Sequence, residues 1–226
     1  VNVLEPAGLV QSDWQPALVC EAPSPRIESV AWGKEQEFSH AVGLALFDYM
    51  RKSYSQGFVV SLSGGADSSA VSCLVAIGLR LAILELGEDA VRERLSHIDL
   101  PADSSEWMKK LLACVYQASD NSGDATELSA RELATSLGAD YQSWVVAPLV
   151  KGYTEMVSGG IGREMSWQHD DIALQNIQAR VRSPGIWMLT NIRNALLLAT
   201  SNRSEAAVGY ATMDGDTSGG LSPVGG

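Results

Sequence analysis

The chain has 226 residues, of which 46% are hydrophobic, and its 16 Lys and Arg against 27 Asp and Glu leave a net charge of -11. This length suits a single α/β domain with one sizeable core. The negative charge argues against extended nucleic-acid or anionic-membrane binding, because the overall field would repel polyanions. A small nucleotide stays possible, since backbone N–H groups and a metal ion can hold its phosphates locally.

The compartment is predicted from the cysteines and from the lack of export signals in the sequence. Three scattered cysteines, Cys20, Cys73 and Cys114, suggest neither a disulfide framework nor a zinc knuckle and suit a reducing compartment. The sequence contains no run of 18 or more apolar residues and no charged-then-apolar leader, which argues against a membrane span and a secretory signal. We therefore expect a cytoplasmic protein.

Residues 1–34 are predicted to be a linker or an arm lying over a partner surface, and residues 35–226 a single domain. The first segment shows little periodicity and contains the prolines Pro6, Pro16, Pro23 and Pro25. The domain opens with the stretch from Glu35 to Tyr54, where apolar residues recur at helical spacing and predict an amphipathic helix.

Strands and helices alternate through the rest of the chain. A β-rich run over Phe58 to Val60 ends in a glycine loop, which a largely buried helix over Ser68 to Leu84 follows. Further strands are predicted at Leu111–Tyr116, Tyr141–Val146 and Ala195–Ala199, and further helices at Thr126–Leu137 and Asp170–Thr190. The alternation predicts an α/β fold, a doubly wound and mostly parallel sheet with helices on both faces and its ligand crevice at the carboxyl ends of the strands.

Three segments rich in glycine or proline are predicted to lack regular structure. Ser183-Pro184-Gly185 is expected to interrupt or kink the helical stretch near position 184. Gly159-Gly160-Ile161-Gly162 follows no strand and is predicted to be an ordinary loop. The tail from Gly215 to Gly226 predicts a mobile loop rather than the natural close of a domain, so we expect the chain to be incomplete at its carboxyl end.

The candidate nucleotide site is the segment Ser61-Leu62-Ser63-Gly64-Gly65-Ala66-Asp67-Ser68. Its glycines let the backbone approach an anion, and the following helix offers free N–H groups and the positive end of its dipole. Phosphate oxygens would repel Asp67 without a metal, so this carboxylate predicts a bound Mg²⁺. The alternative is a glycine-rich turn in which Asp67 and Ser68 only cap the helix.

The loop resembles the S-G-G-x-D-S loop of the ATP pyrophosphatase superfamily (adenine nucleotide alpha hydrolase-like fold), whose members cleave ATP between the α- and β-phosphates. The chain contains no G-x-x-x-x-G-K-[ST], which argues against a site for γ-phosphate transfer. Two later segments, Asn176 to Arg182 and Thr200 to Thr212, are similar to the N-I-Q-A-R-x-R and T-x-N-x-S-E-x-x-V-G-Y-x-T segments of NAD synthetases, above all of the glutamine-dependent type. The resemblance covers roughly residues 36–220.

The resemblance implies roles for individual residues. Asn176 and Arg180, four apart on one helix face, would contact deamido-NAD, whereas Arg182 is predicted to point elsewhere; the alternative is a solvated polar face. Thr200 would contact ATP, and Asp216 the substrate or the metal. Glu205 would contact the substrate or share Mg²⁺ with Asp67. For Glu205 the alternative is a capping box within Asn202-Arg203-Ser204-Glu205, which needs no ligand.

The turn from Tyr116 to Ser122 resembles the adenosine-side loop of the family, although a plain strand-to-helix turn would look similar. The histidines His40, His97 and His169 show no spacing that indicates a metal site or a triad.

The implied function is that of a ligase in NAD biosynthesis. Deamido-NAD would be adenylylated by ATP, ammonia would then displace AMP, and no residue of the chain would act as nucleophile or general base. Ammonia would come from a nitrilase-like glutaminase domain that 226 residues cannot also contain, and related synthetases are usually homo-oligomers. Because the chain also stops before the lysines that complete the family's ATP site, we expect that it could be inactive alone. The alternatives are another ATP pyrophosphatase, such as a GMP synthetase or a tRNA-modifying enzyme, and a non-catalytic adenine-nucleotide-binding module.

Overall fold

The structure is a computed structural model and describes residues 32–120, 122–209, 211 and 213–225. The chain divides into two units, Val1–Gly33 and Lys34–Gly226. The predicted arm over residues 1–34, Cys20 included, lies outside the described residues except for its last three positions.

Four parallel strands form one sheet in the order β3-β2-β1-β4. They are β1 Phe58–Ser61, β2 Leu112–Ala118, β3 Asp140–Val145 and β4 Leu196–Leu198. All four strands were predicted from their apolar, β-rich runs, each to within two residues of its start. The two central strands are buried almost throughout, as expected for a parallel sheet covered on both faces.

Nine α-helices surround the sheet in the described part of the chain. They are α1 Lys34–Ser53, α2 Ala66–Leu86, α3 Glu88–Arg94, α4 Trp107–Leu111, α5 Asp124–Leu137, α6 Ala147–Ile161, α7 Asp171–Arg180, α8 Arg182–Ile192 and α9 Arg203–Val208. A 3₁₀ turn over Ser104–Glu106 precedes α4. The helices predicted before β1, after β1 and after β2 are confirmed as α1, α2 and α5, whereas α3 and α4 were not predicted from the sequence.

Alternating side chains of the strands pack into two separate cores. Val60 and Cys114 contribute to the larger core, which α1, α2 and α5 cover. Val59 and Val115, one residue away along each strand, pack against Ile186 of α8 on the opposite face. Because successive strand residues point to opposite faces, the doubly wound arrangement follows directly from this burial pattern.

Helix α2 is long and apolar enough to cross a membrane by length and composition, with a mean hydropathy of 1.9. Among the described residues it is the one helix that meets this test. In the fold it packs against α1, β1, β2 and α5. Core helices of water-soluble proteins share this composition.

One prediction for the second half of the chain is wrong and another is shifted. The cluster from Gly159 to Gly162 is not a loop, because α6 continues to Ile161 and only Gly162 ends it in the left-handed conformation. The predicted interruption of the later helix is present, but it lies at Val181, between α7 and α8, just before Ser183-Pro184-Gly185. Pro184 instead lies in the first turn of α8, where a missing N–H leaves no hydrogen bond unmade.

The glycine-rich tail is held against the edge of the sheet instead of forming a mobile loop. The N–H of Ala199 donates to Leu221 O at 2.8 Å, and the N–H of Gly220 donates to Leu197 O at 2.8 Å. Leu198 and Leu221 form an isolated parallel bridge. A Cβ on Gly219 would lie 2.4 Å from the nitrogen of Ala199, so this glycine permits the close approach.

Candidate functional site

A cavity of about 490 Å³ lies at the carboxyl edge of the sheet, where the fold predicts a ligand crevice. The predicted residues that line this crevice are Ser61, Leu62, Ser63, Thr200 and Asp216. They come from the end of β1, from the end of β4 and from the tail. The remaining predicted loop residues lie beside the cavity without lining it.

Hydroxyl groups hold the loop between β1 and α2 in an open turn. Ser63 N donates to the buried Ser68 Oγ at 3.2 Å, and the Oγ atoms of Ser63 and Ser68 lie 3.1 Å apart. The N–H of Gly65 donates to Ser63 Oγ at 3.2 Å. The N–H groups of Ser63 and Gly65 are thus engaged by hydroxyl oxygens of the loop itself.

Gly64 fixes the position of this loop against α5. Its φ is 80°, and a Cβ there would lie 2.2 Å from the carbonyl oxygen of Thr126. A side chain at this position would both strain the backbone and push the loop away from the helix.

Asp67 does not cap α2. The N-cap residue is Gly65 in an extended conformation, without a side-chain cap, and Asp67 lies in the first helical turn. Within the described residues, no hydrogen bond or ion pair engages its carboxylate. The capping alternative is therefore wrong for Asp67, and its oxygens stay available to a cation.

Oxygen donors of this kind fit Mg²⁺, which uses one or two carboxylates together with phosphate oxygens. In the part of the chain that the structure describes, no group of three or more His, Cys, Asp or Glu side chains could hold a metal alone. A magnesium site at Asp67 would accordingly need the phosphates of the nucleotide to complete it.

Glu205 forms the capping box that was the structural alternative for it. Asn202 Oδ1 accepts from Glu205 N at 2.9 Å, and Glu205 Oε2 accepts from Asn202 N at 3.2 Å. These two bonds satisfy free N–H groups at the start of α9. One carboxylate oxygen is thus engaged by the helix, and the metal role of Glu205 stays a prediction.

The residues predicted to bind deamido-NAD lie on a different surface. Asn176 and Arg180 share one face of α7, as their spacing predicts, and line an open cavity together with His169 and Asp171. The Nε of Arg180 donates to the carbonyl oxygen of Met213 at 3.0 Å. Neither side chain lines the crevice at the sheet.

Two further side chains line the crevice: Gln117, which lies in the predicted adenosine-side turn, and Arg182, to which the sequence prediction gave no ligand role. The buried Gln117 at the end of β2 donates from Nε2 to Ser61 Oγ at 3.1 Å.

Arg182 was expected to point away from the face of Asn176 and Arg180, and it does. The helical spacing of Gln178, Arg182 and Ile186, which all line the crevice, is the signal that could have located it. Burial lowers the pKa of Arg182, because desolvation disfavours its charged form.

The turn beyond β2 is closed by Ser119, whose N–H donates to Ser122 Oγ at 2.9 Å. Ser119 and Ser122 both line the crevice, as the predicted adenosine-side loop would.

Comparison with known proteins matches residues 39–226 to the family model described as NAD synthase. The chain belongs to the NAD synthase family. A solved glutamine-dependent NAD(+) synthetase from Cytophaga hutchinsonii is 49% identical and superposes with a TM-score of 0.81, covering 86% of this chain and 35% of that one. The glutamine-dependent NAD(+) synthetase of Homo sapiens is 30% identical over 90% of this chain and 32% of its own length.

A more distant structure shares the fold alone. The NH3-dependent NAD synthetase from Campylobacter jejuni is 21% identical with a TM-score of 0.62, and the match covers 86% of this chain and 68% of that one. The chain spans about a third of the length of the curated relatives it matches.

Proposed function

We propose that this chain carries the ATP-dependent amide-forming site of a glutamine-dependent NAD synthetase. The observation that supports this most is the open loop from Ser61 to Ser68, at the carboxyl end of a central parallel strand in a chain of the NAD synthase family. The reaction would convert ATP, deamido-NAD and ammonia into NAD, AMP and pyrophosphate.

The chemistry proceeds in two displacements that need no nucleophile from the protein. The nicotinate carboxylate attacks the α-phosphorus of ATP, and the bond to the bridging oxygen breaks with release of pyrophosphate. Ammonia then attacks the acyl carbon and displaces AMP, so that the amide forms with loss of a proton to solvent. The protein contributes alignment of the reacting groups and stabilisation of the departing charge.

The loop residues serve the pyrophosphate side of this reaction. The N–H groups in the first turn of α2 and the positive end of its dipole would stabilise negative charge on the leaving group. Ser63 and Ser68 keep the turn open through their hydroxyl contacts. Thr200, at the end of β4, lies across the crevice to contact the same nucleotide.

Asp67 would hold Mg²⁺ together with the phosphate oxygens, and Glu205 has one carboxylate oxygen left for the same ion or for the substrate. The ion would supply positive charge against the phosphates. Asp67 and Glu205 therefore organise the metal and do not act as general bases.

The deamido-NAD side is proposed for α7 and the tail. Asn176 and Arg180 offer an amide and a guanidinium on one helix face, which suits the ring and phosphates of a dinucleotide. Asp216 reaches the crevice from the tail and would contact the substrate or the metal.

We further propose a cytoplasmic homo-oligomer that receives ammonia from a nitrilase-like glutaminase domain and binds neither nucleic acid nor membranes. The length of the relatives supports the extra domain, and the net charge of -11 supports the absence of polyanionic partners. Exposed apolar side chains of α6 support self-association; they are Leu149, Tyr153, Met156, Val157 and Ile161.

The test is release of AMP and pyrophosphate from Mg-ATP and ammonium, with and without deamido-NAD, by the chain and by the longest natural protein that contains it. We expect turnover that requires deamido-NAD and that Asp67→Ala reduces by at least about 100-fold, because a metal contact made in the transition state is lost. Asp89→Ala, which removes an exposed carboxylate from the first turn of α3, is the matched control and should keep full activity.

The result also separates the alternatives. AMP release that does not depend on deamido-NAD would assign the chain to another class of ATP pyrophosphatase. ATP binding without turnover in either protein would leave a nucleotide-binding module and contradict the synthetase assignment.

A further inference from the structure

Arg182, at the start of α8, is hydrogen-bonded to two other segments at the edge of the crevice, α7 and the end of β2 with the turn that follows it. Its Nε donates to the carbonyl oxygen of Gln117 at 3.3 Å, and its Nη1 donates to the carbonyl oxygen of Gln178 at 2.9 Å. Its Nη2 donates to Ser119 Oγ at 3.4 Å. A guanidinium carries five N–H donors, so two of them are left for a ligand in the cavity that Arg182 lines.

The charge of Arg182 is not matched by a carboxylate. Within the described residues no Asp or Glu oxygen lies within 4.0 Å of it, whereas Arg51, Arg131, Arg163 and Arg193 each form an ion pair. Burying a cation without a counter-ion costs stability, and the fold offsets part of that cost here with neutral acceptors alone.

Arg182 is also the one cationic side chain among the described residues that line the crevice, where Asp216 is the one anionic side chain. A protein of net charge -11 repels a polyphosphate at long range, so a local cation has a large effect on its affinity. A guanidinium with two donors left matches phosphate oxygens well.

The contact of Arg182 with Gln117 joins it to the nucleotide loop. Gln117 presents its carbonyl oxygen to Arg182 and its side-chain amide to Ser61 Oγ. A ligand bound between the loop and Arg182 would therefore meet one connected set of hydrogen-bonding groups.

We propose that Arg182 is an additional nucleotide-binding residue, whose guanidinium takes a phosphate oxygen of ATP opposite the loop that follows β1. This inference rests on the nucleotide site of the proposed function and adds a residue to it. Arg180, two positions earlier, lies on another cavity and would not share this task.

The experiment measures the dissociation constant of Mg-ATP by calorimetry on the full 226-residue chain. Arg182→Met should weaken binding about 10- to 100-fold, because a charged hydrogen-bond partner of the phosphate is lost. Arg182→Lys should fall between this variant and the wild type, since it keeps the charge without the planar fork. Raising the salt concentration should weaken binding by the wild type more than by Arg182→Met.

Arg193→Met is the matched control. Arg193 also bridges two segments, through Asp140 Oδ2 at 2.7 Å and Lys110 O at 3.1 Å, but it lies away from the crevice and has a carboxylate partner. It should change thermal stability and leave the ATP affinity within about twofold. Circular dichroism verifies that each variant folds, and Arg182→Gln replaces the Met variant if that one does not.

Equal ATP affinity in Arg182→Met and the wild type would overturn the proposal, as would the absence of any ATP binding by the wild type. Equally weak binding by the Lys and Met variants would also overturn it, because Arg182 would then act only through the position of Gln117. Binding is measured without turnover, so the two proposals can fail separately. If the synthetase reaction is absent while Arg182→Met still weakens ATP binding, only the proposed function is contradicted.

Discussion

The crevice at the sheet and the cavity on α7 are built in different ways. The crevice lies over the ends of two buried central strands, and its loop is held by short contacts from Ser63, Ser68 and Thr126. The cavity on α7 is lined by residues of α7 and of the turn before it, and α7 packs against α6, a helix without a single buried residue. One site is thus supported by the core and the other by the surface.

The contrast shows where the fold positions chemistry firmly. Parallel strands end at one edge, so every loop that leaves them is held by the same core. The surface region depends on local contacts, such as the pair of Arg163 and Asp170 at 2.7 Å, which ties the loop after α6 to the start of α7. The Arg163 guanidinium holds the pKa of Asp170 well below its usual range. A motif on α7 therefore receives less support than one at the crevice.

The largest effect is expected when a methyl group is added to a glycine of each region. Gly64→Ala should lower the free energy of unfolding by about 2–3 kcal/mol and abolish measurable ATP binding, because a Cβ would meet Thr126 O at a positive φ. Gly159→Ala in α6, where a Cβ meets nothing within 4 Å, should be neutral or stabilise by up to about 1 kcal/mol. Denaturant unfolding and ATP calorimetry measure both; equal effects would contradict the difference in support.

A smaller effect is expected where the tail meets β4. Gly219→Ala should cost about 1–3 kcal/mol of unfolding free energy, because its Cβ would lie 2.4 Å from Ala199 N. ATP binding should weaken with it, since Asp216 and Ser218 are carried by the same segment. Gly220→Ala is the neighbouring control, as its Cβ would lie 4.0 Å from Leu197 O. If the tail is not docked in solution, Gly219→Ala and Gly220→Ala should have the same unfolding free energy and the same ATP affinity.

The smallest effect is expected from alkaline pH on the core beneath the crevice. Burial raises the pKa of the Cys114 thiol to about 12. The pKa of the thiol is 9.0 without burial, so the contribution of Cys114 to stability is present below that pH and is lost as the pH rises towards 12.

Unfolding free energy of the wild type should therefore decline above about pH 9 more steeply than that of Cys114→Ala, by at most about 1.4 kcal/mol per pH unit. Cys73→Ala, at a half-exposed position, should change the slope less. Denaturant titrations between about pH 8 and 11 under reducing conditions give the slopes, and identical slopes for all three proteins would refute the assignment.

The structure confirms most of the fold that the sequence predicted, because local signals were strong there. The run from Phe58 through Ser68 contains a buried strand, a positive-φ glycine and a helix start in immediate succession, so neighbours along the chain decide its shape. Helix α6 was missed because glycine is a poor helix former, so its glycines indicated a loop. Its exposed apolar stripe is not typical of a loop.

Arg182 shows the opposite case, in which helical spacing gave a direction but no role. Counting along the helix places Arg182 away from Arg180, and the structure confirms this, since the two side chains line different cavities. In the fold the side chain of Arg182 faces the end of β2, where Gln117 and Ser119 accept its hydrogen bonds. Contacts between segments far apart in the chain decided the outcome.

By itself the sequence determined the α/β class and the strand positions, and it offered the capping box of Asn202 and Glu205 as an alternative, since all of these depend on residues close together in the chain. Only the tertiary structure decided that the tail docks beside β4, that Asn176 and Arg180 lie apart from the crevice, and that Gln117 and Arg182 line it. These features depend on backbone hydrogen bonds and packing between distant segments, which carry no local pattern of residue types.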